Sequence, residues 1–311
     1  SSDVCSSDLK KPKQVAAKMI FFLLCSFTYF TLADVSRTWT VNDARDDRLR
    51  LRGPADDGTD EIRIRTEVST DNDEAFRYRI DYYPDTVNAS GFKTEFTVKV
   101  MNPIQFDESG NTPGYQPSED TLISHQRGTP APLEWSTSDP GFFTWNTTFS
   151  NALGMRGHLS DNTAQLNAVQ SLSANELKFD LWVDSLIWDA LASHLAFHLK
   201  IECESDDVPI DQTQSNNFVV GSVLGGPDGF FSWATNVDTF QGPLNSGVAV
   251  SANLLFTQNG TELYYTIDTT SKPPSVMWDP LAGLEIISGA GRSTDKIVGI
   301  VFGVLFVIGF A

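Results

Sequence analysis

The side chains in this chain best suited to chemistry are carboxylates, and they gather in short runs. Residues 106–121 read FDESGNTPGYQPSEDT, with Asp107 and Glu108 at one end, Glu119 and Asp120 at the other, and turn-forming Gly and Pro between them. Carboxylate oxygens are the ligands that a hard cation such as calcium takes. Asp107, Ser109 and Asn111 match the first three ligand positions of an EF-hand loop, but Thr112 stands where that loop needs Gly and Ser118 where it needs a bidentate Glu. The segment therefore reads as an irregular loop whose acidic ends converge when it folds back. Weak calcium attraction spread over several sites is expected of it, rather than one tight cage. Asp206 and Asp207 (with Asp211), and Asp71, Asp73 and Glu74, form further acidic clusters at strand ends. The plainer reading of such loops is that they keep a secreted protein soluble.

Other chemistries find little material. There is no Gly-x-Ser-x-Gly elbow, His-Glu-x-x-His pair, phosphate loop or dinucleotide fingerprint. Of the four His, His125, His158, His194 and His198, the last two have the i,i+4 spacing of a metal pair. Their segment alternates as a strand, however, and four residues of strand put them about 13 Å apart, too far for one ion. Paired carboxylates for glycoside hydrolysis fit a sandwich scaffold, yet nothing in the sequence selects one pair. Among seven Trp, Trp145 and Trp233 sit in a repeated Gly-Phe-Phe-x-Trp unit and read as core anchors, with Trp182 and Trp188 expected to pack likewise. No catalytic residue is assigned and an enzyme is not expected. The rival reading is a secreted carbohydrate-active enzyme or lectin with an acid pair and an exposed Trp.

The elements that must hold these loops are strands. Apolar side chains recur with period two at 61–68, 76–82, 92–101, 176–186, 194–203, 218–224, 230–237, 248–257 and 262–268. Turn residues separate the runs, as at 88–91, 111–114, 225–229 and 259–260. Helical periodicity is confined to 161–172. Antiparallel sheets with one wet face give this pattern, so the predicted class is an all-β antiparallel sandwich. Gly141-Phe-Phe-Thr-Trp145 recurs as Gly229-Phe-Phe-Ser-Trp233, and Lys93-Thr-Glu-Phe-Thr-Val98 has a counterpart in Lys178-Phe-Asp-Leu-Trp-Val183. Both offsets are about 85–90 residues, the size of a small sandwich, which predicts an internally duplicated pair of units at 34–165 and 166–288. Whether these form two lobes or share one core is open at this level.

The flanks point outside the cell. Residues 1–9, SSDVCSSDL, read as a translated sequencing adapter and are set aside. Residues 10–33 follow with Lys10, Lys11, Lys13 and Lys18 before an apolar run that is short for a membrane span, the pattern of a signal peptide cleaved near Ala33. At the other end a polar spacer, 289–296, precedes an unbroken apolar run, 297–311. This is either a truncated transmembrane helix or a glycosylphosphatidylinositol signal tail, and both tether the chain to a membrane. Asn88, Asn146 and Asn259 head Asn-x-Ser/Thr sequons and are candidate N-glycan acceptors. Once Cys5 and Cys25 leave with the flanks, Cys203 stands alone and is expected to be a buried thiol. With 22 Lys+Arg against 40 Asp+Glu, a formal charge of −18, the chain carries no basic footprint for nucleic acid. Cations, basic extracellular partners and mineral surfaces suit it better.

Taken in order, these segments have a family likeness. The strand ending in Phe106-Asp107, the loop with Gly114-Tyr115 closing on Glu119-Asp120, residues 176–188, Gly229-Phe-Phe-Ser-Trp-Ala234, Met277-Trp-Asp-Pro280 and Gly283-Leu284-Glu285 form one series. That series resembles the secreted acidic, Asp-rich proteins of coral skeletal organic matrix and their wider eukaryotic relatives, over most of residues 60–287. The resemblance implies a secreted or surface-tethered β-rich protein that attracts calcium and associates with carbonate mineral. The long Asp/Glu tracts of the skeletal members are missing here. The function expected is that of an extracellular, membrane-attached acidic glycoprotein in a matrix or adhesion role.

Overall fold

The computed structural model describes residues 38–285, apart from 55–59, 70–72, 85–93, 126–127, 140, 151, 163, 166–170, 173–175, 204–210, 215–216, 221–227 and 245–247. The adapter-like start, the leader, the spacer and the apolar tail lie outside the described residues, as do Asn88, Asp206 and Asp207.

The regular elements among the described residues are all strands. In chain order the strands are β1 (Thr40–Arg45), β2 (Arg48–Pro54), β3 (Glu61–Val68), β4 (Glu74–Tyr83), β5 (Thr94–Met101), β6 (Ile104–Asp107) and β7 (Thr121–His125). Then come β8 (Glu134–Asp139), β9 (Phe142–Thr148), β10 (Leu153–Ser160), the short β11 (Ala164–Gln165) and β12 (Ser171–Leu172), β13 (Glu176–Val183) and β14 (His194–Cys203). The chain finishes with β15 (Asp211–Gln214), β16 (Asn217–Val220), β17 (Asp228–Ser232), β18 (Asn236–Phe240), β19 (Val250–Asn259), β20 (Glu262–Asp268), β21 (Ser275–Trp278) and β22 (Leu281–Glu285). No helix occurs among the described residues. The helical candidate at 161–172 instead contributes β11 and β12, which pair antiparallel through Ala164↔Leu172 and Gln165↔Ser171.

Why these segments are strands is visible in β3. Ile62, Ile64, Thr66 and Val68 are buried, while Glu61, Arg63, Arg65 and Glu67 alternate with them on the wetter side. A period of two commits one face of the strand to a core and the other to water. β1 to β5 form an antiparallel meander; β5 pairs with β14, β14 with β20, and β20 with β19. A second series runs β8–β9–β10–β13, and β21 and β22 then lie end to end along β13. β18 continues from β21 and β17 from β22, with β16 and β15 beyond β17.

The two series face one another. Tyr78 of β4 stacks on Phe179 of β13 at 4.6 Å, Phe197 of β14 on Trp278 of β21 at 5.4 Å, and Tyr265 of β20 meets Trp278 at 4.5 Å. The predicted sandwich-like, all-β antiparallel class is therefore what the structure has. One continuous apolar cluster extends from Trp39 to Ala282 and takes side chains from both 34–165 and 166–288. Phe143 and Trp145 of β9, Phe231 of β17 and Trp233 just after it all point into it, so these repeated units are core anchors as expected. Each large side chain gains about 1.5–3 kcal/mol on leaving water. That is the main source of cohesion where Cys203, which forms no disulfide, is itself buried.

Candidate functional site

The acidic loop between β6 and β7 folds back as its sequence suggests. Pairing of Asp107 with Thr121 brings its two ends together. Asp120 then serves the loop's own backbone. Its Oδ1 accepts the N–H groups of Ser109 and Gly110, each at 3.1 Å, and its Oδ2 accepts that of Gln116 at 2.7 Å. Glu108 Oε1 accepts the Gly114 N–H at 2.9 Å, and its Oε2 lies 3.7 Å from His194 Nε2. Gly114 has φ +85, a left-handed conformation, and a Cβ there would press on Thr257 and Leu255. Next to it Tyr115 inserts between Phe106 and Tyr264, 4.9 Å from each ring, and its N–H reaches Thr266 Oγ1 at 2.9 Å. Phe106, Tyr115, Ile104, Ala196 and Tyr264 form a small second core that pins the loop to the outer side of β14 and β20.

Of the four predicted loop ligands, Asp120 and Glu108 thus spend oxygens on backbone N–H groups, while Asp107 and Glu119 are exposed. Among the described residues no three His, Cys, Asp or Glu side chains converge as ligands for an ion.

His194 and His198 lie on one face of β14, each with its own partners. His194 Nδ1 is 2.9 Å from Ser193 Oγ and its ring stacks on Phe106; His198 contacts Glu262 and stacks on Tyr264 at 4.6 Å. Both are half-buried in an aromatic and carboxylate surround. Burial, with Glu262 beside it, pushes the Tyr264 phenol up to about 12.

The outer face of β2 to β5 and β14 is an ion-pair lattice. Arg50, Arg65 and Arg79 stand directly opposite one another on successive strands, an arrangement that costs energy unless acids intervene. Glu67 lies 3.3 Å from Arg50 and 3.8 Å from Arg65; Asp81 lies 2.6 Å from Arg79, and Glu95 2.7 Å. Burial raises the Asp81 carboxyl despite these arginines. Glu202 sits between Lys99 at 2.6 Å and Lys200 at 2.7 Å; burial works against its charge, but the two ammonium groups outweigh it and hold the carboxyl low.

A further polar group, unremarked in the sequence, occupies the outer face of β10, β13 and β21–β22. Leu177, Phe179, Leu181 and Val183 fill the core, so Lys178, Asp180 and Trp182 turn outward. Lys178 pairs across to His158, Asp180 to Arg156 and Trp182 to Gly154. On the other side Leu181↔Trp278 and Lys178↔Leu281 leave Asp279 directly opposite Asp180. Lys178 contacts Asp180 and lies 3.7 Å from Asp279 Oδ2, and His158 Nε2 is 3.3 Å from Asp180 Oδ2. Burial tends to raise Asp180, but the His158 hydrogen bond and the Lys178 charge hold it below the usual carboxylate range; burial raises Asp279 against the pull of Lys178. Trp182 rests on Gly154, where any Cβ would overlap the indole, with the Arg156 guanidinium 5.8 Å from its ring. The expectation that Trp182 joins Trp145 in the core is corrected: it is half-buried on the outer face, while Trp188 does pack against the core. The strict alternation from Leu177 to Val183 carried that signal.

Asn259 is exposed at the tip of the β19–β20 hairpin, beside Gly260 with φ +62. Asn146 is half-buried in β9, opposite Glu134 on one side and Arg156 on the other. No protein-family model matches this chain, and no curated protein matches it either.

Proposed function

We propose that the chain is an extracellular, membrane-attached acidic glycoprotein with a matrix or adhesion role, in which a rigid β scaffold presents carboxylates that attract calcium weakly. The observation that carries this reading is where the charge resides. Arg50, Arg65, Arg79, Lys99 and Lys200 on the outer face of β2 to β5 and β14 already have carboxylate partners, whereas Asp107, Glu119, Asp189, Asp238 and Asp268 are exposed in a chain of formal charge −18. Such a surface concentrates cations or meets basic partners without needing a ligand cage. A leader at 10–33 and a tether at 297–311 would deliver it to the cell surface, and the echo between Trp145 and Trp233 supports an ancestral duplication of 34–165 and 166–288. The likeness to skeletal-matrix proteins extends the proposal to carbonate mineral as a surface for adsorption.

Thermal unfolding of the secreted protein under a calcium titration tests it. A ligand held by the native state raises Tm. A gradual rise with half-effect at about 0.1–1 mM, the range of extracellular calcium modules, and suppression by added sodium chloride are expected. An unchanged Tm across the titration would overturn the reading.

A further inference from the structure

We propose that the outer face of β10, β13 and β21–β22 is a saccharide-binding site, with Asp279 and Arg156 bonding hydroxyls and Trp182 packing on the sugar's C–H face, above a fixed Lys178–Asp180 base.

The site is built, not merely polar. Lys178 and Asp180 are each 4% exposed although they point away from the core, so the ion pair at its base is fixed in place. Asp279 stands beside that pair with its side chain 41% exposed, and Arg156 on the neighbouring β10 is exposed. A carboxylate that accepts and a guanidinium that donates suit the vicinal hydroxyls of a sugar ring.

Charge points the same way. Asp180 and Asp279 are offset by Lys178 and Arg156, so neither a metal ion nor a polyanion is preferred over a neutral ligand. An apolar plane completes the set. Trp182 lies one residue pair from Asp180 along the face, held flat by the absence of a side chain at Gly154, and Met277 extends it toward exposed Asp238. Aromatic rings with a few convergent polar groups are what small polar ligands require. Cleavage is not part of the proposal. Lys178 sits between the two carboxyls, whereas glycoside hydrolysis needs them free on opposite sides of the bond.

The test uses the full chain from a secretory host carrying Asn146→Gln, which keeps any glycan off the rim. Isothermal titration with neutral oligosaccharides of β-linked glucose, mannose, galactose and N-acetylglucosamine is expected to show binding to at least one. Trp182→Ala should weaken that binding tenfold or more, and Asp279→Asn several-fold. Trp135→Ala, an exposed tryptophan on β8, should leave it unchanged. Circular dichroism melts establish that each variant is folded. Absence of binding to every probe, binding only to a sulfated polymer such as heparin, or binding that survives both Trp182→Ala and Asp279→Asn would each overturn the proposal. None of these results bears on calcium, so this site and the cation reading succeed or fail separately.

Discussion

The indole of Trp145 on β9 lies across Gly157, the residue directly opposite it on β10. A Cβ at Gly157 would stand well inside van der Waals contact with the indole's six-membered ring and Nε1. Trp145 is wholly buried, so the ring has nowhere to withdraw. Gly157→Ala is expected to destabilise the fold by about 1–3 kcal/mol, the usual cost of overpacking. A lowered urea midpoint with unchanged slope is the diagnostic result, and a neutral substitution would mean the core is more yielding than this contact implies.

Asp120 is expected to matter for the acidic loop through structure. Asp120→Asn weakens three hydrogen bonds to the N–H groups of Ser109, Gly110 and Gln116, and about 1–3 kcal/mol of stability should be lost. Limited proteolysis should then cut within residues 109–119. Asp107→Asn, at an exposed position, should change stability by no more than about 0.5 kcal/mol.

Alkaline pH should loosen the fold. Tyr264 ionises near 10 when unfolded and near 12 when folded, and Tyr78 and Tyr265 are raised well above the ordinary value by burial. In that interval the unfolded chain has lost protons that the native chain retains, so each rise in pH favours unfolding. Stability measured in urea should therefore decline from about pH 10 upward. Tyr264→Phe should make that decline shallower, and an unaltered slope would show that Tyr264 titrates as it does in the unfolded chain.

The two described sequons should differ in occupancy. Asn259 projects from a hairpin tip, whereas Asn146 is half-buried between paired strands. Enzymatic deglycosylation followed by peptide mass mapping is expected to mark Asn259 fully and Asn146 at a lower fraction. Equal marking would require glycan transfer before β9 pairs with its neighbours.

Much of the strand content was legible because alternation reports burial directly. Ile62, Ile64 and Val68 announced the inner face of β3 without any knowledge of its neighbours. Pairing was not legible: β5 meets β14, almost a hundred residues away, and local pattern contains nothing about such partners. The loop at 106–121 was correctly read as folding back, but its carboxylates looked free because backbone N–H donors do not show in a list of side chains. Trp182 is the instructive case. Similarity to other tryptophans drew it toward the core, while its own neighbours Lys178 and Asp180, four and two residues back, placed it outside. Asp279 could not be tied to Asp180 until β13 and β21–β22 were aligned.

β19 belongs to both layers: Asn253 pairs with Asn236 of β18 and also with Asp268 of β20. A pull that tries to peel one layer from the other must therefore unzip this strand from two ladders at once. β19 thus acts as a seam that resists tearing, with shear borne by backbone hydrogen bonds before the greasy interior is exposed.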